Sequence, residues 1–153
     1  MKKKITYFLM LLFLILACSK DNYVNNIPYF EVHFVVSPIT DFGGELQAPG
    51  KIKIVGCNHN GGQSCGYKNH GIIVCSMMQS ESYAAYAATC PLDLNKLEIV
   101  NAGILKVKCN KCDNVFELDN NGLASKNLRL IRYNIQTLIA NKNFIVSSRW
   151  FLS

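Results

Sequence analysis

Three features of the sequence predict an all-β fold, a small antiparallel barrel or sandwich. Short apolar runs recur through residues 29–148, and clusters of Gly, Asn and Pro separate them. Two of the runs end in short cysteine loops, Cys90-Pro91-Leu92 and Cys109-Asn110-Lys111-Cys112, so both loops are expected at strand ends. The first strand is expected over 29–37, with Phe30, Val32 and Phe34 on one side. Residues 37–50 hold Pro38, Gly43, Gly44, Pro49 and Gly50 and read as loop. At 51–55 Lys and Ile alternate, as a half-buried strand requires, and 56–71, rich in Gly, Asn and His, reads as an irregular loop. Strands follow at 72–76, 83–88, 103–108 and 115–118, and Asn120-Asn121-Gly122 supplies a tight turn. The chain closes with strands at 128–139 and 144–148 around Asn141-Lys142-Asn143, although the apolar spacing of 128–139 also fits a helix. Tyr83 and Tyr86 are expected in the core or at its rim, and Trp150 and Phe151 are expected to pack back on the domain. No internal repeat is apparent.

The N-terminus sets the expected compartment. Lys2, Lys3 and Lys4 precede an apolar run of about a dozen residues, too short for a spanning helix of about twenty. Residues 1–17 therefore read as a secretory signal. Ile15-Leu16-Ala17-Cys18 resembles a lipobox, which implies cleavage before a lipidated Cys18 and a membrane partner reached through that anchor. Residues 18–27 are polar and Asn-rich, as a tether would be, and 28–153 form the β domain. The expected location is the bacterial cell envelope, at the outer membrane on its periplasmic or surface face. Removing residues 1–17 takes three lysines and no acid from a net charge of +6 and leaves +3. That mild excess has no basic block and does not support nucleic-acid binding.

Cysteine carries the chemistry. Beyond Cys18 there are six: Cys57, Cys65, Cys75, Cys90, Cys109 and Cys112. Outside the cytoplasm disulfides persist, and Cys57 and Cys65, which bracket a Gly-rich loop, are natural partners. A bridge from Cys90 to Cys109 or Cys112 would staple the two loops, and a metal on Cys90, Cys109 and Cys112 would do so differently; both remain open. Asp93, Cys75 or water could complete such a ligand set, and His59 or His70 could reach over it. Structural zinc ordinarily pairs two close doublets, and only Cys109 and Cys112 form one, so zinc ranks behind an iron–sulfur cluster. Thiol–disulfide exchange ranks low because strands flank Cys109-x-x-Cys112 on both sides. Neither a Ser-His-acid grouping nor paired carboxylates stand out, so no enzyme activity is expected.

The segment from Tyr86 to Cys90-Pro91-Leu92, then Val107 to Cys109-Asn110-Lys111-Cys112-Asp113 with Phe116 and the Asn121-Gly122 turn, resembles the core of a Rieske domain. It is similar to Rieske-fold lipoproteins of Bacteroides-type bacteria, whose loops are altered in the same way. The resemblance implies a Rieske-like barrel with cluster cysteines at Cys90 and Cys109. At the histidine positions stand Leu92 and Cys112, and Asp113 replaces a glycine, so a standard two-histidine cluster has no place here. The implied function is a non-catalytic structural or binding module of the envelope, with no cofactor. The alternative is an electron carrier or metal-binding protein with a non-standard [2Fe–2S] or zinc site on Cys90, Cys109 and Cys112.

Overall fold

The computed structural model describes residues 23–78, 82–100, 104–124, 127–138 and 142–148. The expected signal segment, the expected lipidation position Cys18 and the terminal aromatics Trp150 and Phe151 lie outside them. Ten strands are described, and every strand pairing is antiparallel: β1 (His33–Val36), β2 (Ile52–Val55), β3 (Ile72–Ser76), β4 (Tyr83–Ala87), β5 (Leu97–Ile99), β6 (Lys106–Cys109), β7 (Val115–Glu117), β8 (Leu123–Ala124), β9 (Arg132–Thr137) and β10 (Phe144–Ser147). A six-stranded sheet runs β1-β10-β9-β4-β3-β2, and a four-stranded sheet runs β5-β6-β7-β8. The all-β expectation therefore holds.

The apolar runs of β3 and β4 are unbroken because both strands are buried on both faces. Ile73, Cys75, Ala84, Tyr86 and Ala88 face the small sheet and pack with Leu97, Val107, Phe116 and Leu118. Ile72, Val74, Ala85 and Ala87 face the other way, toward Val32, Phe34, Val36, Phe144 and Val146. Alternation along a strand thus feeds two cores rather than a core and solvent. Tyr86 is fully buried and donates to the Leu118 carbonyl at 2.8 Å, tying the large sheet to the small one. Tyr83 points to the opposite side and stacks on Phe144 at 4.5 Å.

Several local expectations are refined. The described part of the 128–139 run is extended rather than helical, because β9 must fill the gap between β10 and β4. The 37–50 loop contains a 3-10 turn at Asp41–Gln47, where Phe42, Gly43 and Gly44 all take positive φ. Asn121 (φ 54°) and Gly122 (φ 68°) make the expected tight turn between β7 and β8, since both central positions need the left-handed region. β5 and β8, three and two residues long, carried too little pattern to be seen in the sequence.

The loop expected at 56–71 holds two short 3-10 turns, His59–Gly61 and Tyr67–Asn69, and the Cys57–Cys65 disulfide. It folds back on β1: His33 donates to the Gln63 carbonyl at 2.9 Å and Gln63 donates to the His33 carbonyl at 2.7 Å. The adjacent Gly62 has room for no side chain, since a Cβ would lie 2.5 Å from the His33 carbonyl oxygen and 2.6 Å from the Phe34 Cβ. Gly62→Ala is therefore expected to cost about 2–3 kcal/mol, read as a lower urea midpoint at unchanged slope.

Residues 23–27 do not hang free of the domain. Ile27 is buried, Val24 bridges Leu128, and Asn26 donates from its backbone to the Pro91 carbonyl at 3.0 Å and from its side chain to the Leu92 carbonyl at 3.1 Å.

Burial also sets the alkaline behaviour. It pushes the Cys75 thiol up from 9.0 to about 12 and the Tyr86 and Tyr133 phenols up from 10.0 to about 12. The folded state keeps protons that the unfolded state releases, so stability is intact below about pH 9 and falls as the pH rises through about 12. Loss of the sheet signal in far-ultraviolet circular dichroism is expected as the pH rises toward 12; a sheet signal and melting temperature unchanged between pH 9 and 12 would contradict this.

Candidate metal centre

Two loops build the site, each leaving a strand that the core fixes. Cys90 lies just beyond the end of β4, in a narrow hairpin that turns into β5. Its backbone N–H donates to the Asn95 carbonyl at 2.8 Å, and Leu94 donates to the Cys90 carbonyl at 3.0 Å. Cys109 ends β6 opposite Leu97 of β5, and its N–H donates to the Asn114 carbonyl at 3.0 Å. β5 follows the first loop and pairs with the strand that enters the second, so the two loops are held side by side.

Ligand atoms of Cys90, Asp93, Cys109 and Cys112 all lie within 4.8 Å of one another, and this group could hold a metal ion. The Cys90 and Cys112 sulfurs are 3.7 Å apart, and the Cys109 thiol donates to the Asp93 carboxylate at 3.2 and 3.4 Å. Cys90 and Cys109 are buried, and Cys112 is half-buried. The sequence named the three cysteines and left the fourth position open among Asp93, Cys75 and water. The structure brings Asp93 into the group, while Leu92, at the histidine position implied by the resemblance, is 44% exposed and supplies nothing.

Burial opposes free thiolates at Cys90 and Cys109. Burial pushes the Cys90 thiol up to about 12, against the opposing pull of the Asp93 and Leu92 amides, which point at its sulfur. Burial also raises Cys109, again against two amides, those of Cys112 and Lys111. For Asp93 burial works upward, but the Asn95 amide and the three thiols outweigh it and hold the carboxyl below its ordinary value. Asn114 donates from its side chain to the Cys112 sulfur at 3.0 Å, and the Asn95 N–H donates to Asp93 at the same distance. Removing protons from three crowded thiols needs a compensating positive charge, which a divalent ion provides.

The other expected contributors lie elsewhere. Cys75 is buried in the core, its thiol donating to the Ala84 carbonyl, and is not in the group. His59 pairs with Asp41 at 3.0 Å and stacks on Phe42. His70 contacts the Thr89 hydroxyl at 3.0 Å, and burial, then Lys96 and Lys68, disfavours its charged form. Neither histidine is in the group. Among the described residues Cys57–Cys65 is the disulfide, as its spacing suggested, while Cys75, Cys90, Cys109 and Cys112 are free.

Neither a protein-family model nor a curated protein matches the chain.

Proposed function

We propose that this chain is a lipid-anchored metal-binding module of the bacterial cell envelope, built on a Rieske-like fold. Cys90, Asp93, Cys109 and Cys112 hold a metal between its two loops. One observation carries the reading: four ligand atoms from two separate loops converge within 4.8 Å. The expectation of a metal-free scaffold rested on Leu92, which has no lone pair to offer. Asp93, one residue further on, supplies the missing donor and removes the reason for preferring that scaffold.

The ion fastens the 90–95 and 109–114 loops to each other beside the short strands β5, β6 and β7, which are three, four and three residues long. Among the described residues no hydrolytic grouping accompanies it, and the role we propose is structural or that of an electron carrier rather than enzymatic. The signal segment and Cys18 deliver the domain to a membrane and leave it outside the cytoplasm.

Elemental mass spectrometry of the full chain, purified in detergent without oxygen, tests the metal. A stoichiometric transition metal supports the reading. A metal-free chain that also takes up none on reconstitution overturns it. Cys18→Ser is expected to move the chain from the membrane fraction to the soluble fraction; unchanged partitioning would overturn the anchor.

A further inference from the structure

The two loops are the same device written twice. Residues 90–95 read Cys-Pro-Leu-Asp-Leu-Asn, and residues 109–114 read Cys-Asn-Lys-Cys-Asp-Asn. Nineteen residues separate Cys90 from Cys109, Asp93 from Cys112 and Asn95 from Asn114. The match extends to the backbone. In each loop the cysteine N–H donates to the carbonyl of the asparagine five residues on, at 2.8 and 3.0 Å. In each, the amides two and three residues after the cysteine point at its sulfur. The residue after each second donor takes the left-handed region, Leu94 at φ 61° and Asp113 at φ 56°. Leucine has no local reason to adopt that conformation, which points to a turn dictated by what it positions.

Cys90 is therefore not a lone cysteine. It forms a doublet with Asp93 at the spacing that joins Cys109 to Cys112, which removes the ground for ranking zinc below a cluster. Two such doublets facing each other are how a single tetrahedral ion is gripped. The distances agree with that. Sulfurs bound to one zinc at about 2.3 Å lie about 3.8 Å apart across a tetrahedral edge, and the Cys90 and Cys112 sulfurs are 3.7 Å apart. A two-iron cluster needs its ligand pairs at opposite ends of an iron–sulfide rhomb. Donor atoms on different irons would then be spread well beyond the 4.8 Å that encloses all four here.

We infer that the site holds one divalent ion of the zinc class in a three-sulfur, one-oxygen set, with Asp93 as the fourth ligand. This rests on the metal-binding reading above and narrows it. A carboxylate oxygen among thiolates is acceptable to zinc, which also outcompetes ferrous iron at such a donor set.

The test uses the full chain in detergent, stripped of metal under reducing conditions and titrated with Co²⁺ and then Zn²⁺, with iron and acid-labile sulfide assayed on the protein as purified. One equivalent of Co²⁺ with a tetrahedral thiolate spectrum, displaced by one equivalent of Zn²⁺, is expected. Asp93→Cys is expected to strengthen the sulfur-to-cobalt charge-transfer band by about a third, as four thiolates replace three. Asp93→Ala is expected to weaken zinc binding by about tenfold or more. Two irons with matching labile sulfide would overturn the single ion yet leave metal binding standing. One equivalent bound with spectrum and affinity indifferent to both Asp93 variants would overturn the ligand assignment. Failure to bind any metal would overturn this inference and the reading beneath it together.

Discussion

Cys109→Ser is expected to abolish stoichiometric metal binding and to remove the part of the melting temperature that a chelator removes from the unaltered chain. Cys109 is buried, ends β6, receives two amides at its sulfur and touches Asp93 at 3.2 Å, so serine at this position breaks contacts within both loops. An ion present at a thousandfold above its dissociation constant adds about 4 kcal/mol of stability, and the variant forfeits that amount. The matched control is Cys75→Ser. Its thiol lies in the core and donates to the Ala84 carbonyl, a contact that a hydroxyl can keep. It should lose about 1 kcal/mol of stability and no metal. Melting curves with and without chelator, run beside metal analysis, separate the two. Equal metal loss in both variants would mean that the ion depends on global stability rather than on ligation.

The second large effect is expected at Tyr86, which touches no ligand. Its ring is fully buried between the sheets, its hydroxyl donates to the Leu118 carbonyl at 2.8 Å, and it stands shortly before Cys90 on the strand that presents the first loop. Tyr86→Ala should cost about 3–5 kcal/mol, the usual range for deleting a large buried ring. Tyr86→Phe keeps the ring and strands the Leu118 carbonyl, for about 1–2 kcal/mol. Gly122 leans on the same ring, since a Cβ there would meet Tyr86 carbons at 3.1 and 3.2 Å. Gly122→Ala combined with Tyr86→Ala should therefore cost less than the sum of the two single changes, because the second removes the ring carbons that the new Cβ would meet. Urea unfolding of the three single variants and the double variant tests the order. Metal affinity should fall in Tyr86→Ala and hold in Tyr86→Phe, because the position of Cys90 depends on ring packing rather than on the hydroxyl.

The course of the central strands was legible because burial on both faces leaves an unbroken apolar signature, as in Ile72-Ile73-Val74 and Ala84-Ala85-Tyr86-Ala87. The Cys57–Cys65 pairing was legible because two cysteines bracketing one short glycine-rich loop are close by necessity. β5 was hidden for the opposite reason. Leu97-Glu98-Ile99 becomes a strand only because β6 lies alongside it, and no local pattern of three residues can announce a partner. Three of the four donors were read directly. The fourth stayed open among Asp93, Cys75 and water because the Rieske resemblance marks Leu92, and the spacing does not single out Asp93 beside it. The repeat is hard to see in the sequence because it keeps geometry more than composition: of six positions only Cys and Asn recur, and the donor at the fourth changes from oxygen to sulfur. Aspartate and cysteine look unrelated in a sequence and equivalent to an ion.

Asn25 and Asn26 looked like spacer, and Asn26 instead grips the Pro91 and Leu92 carbonyls. Those two peptide groups lie between Cys90 and Asp93. Tension applied to the chain ahead of Tyr23 would meet the Val24–Leu128 bridge and then the Asn26 grip, in the middle of the first doublet, before reaching any strand of either sheet. A pull on the chain ahead of residue 23 would therefore reach the first doublet by way of Asn26.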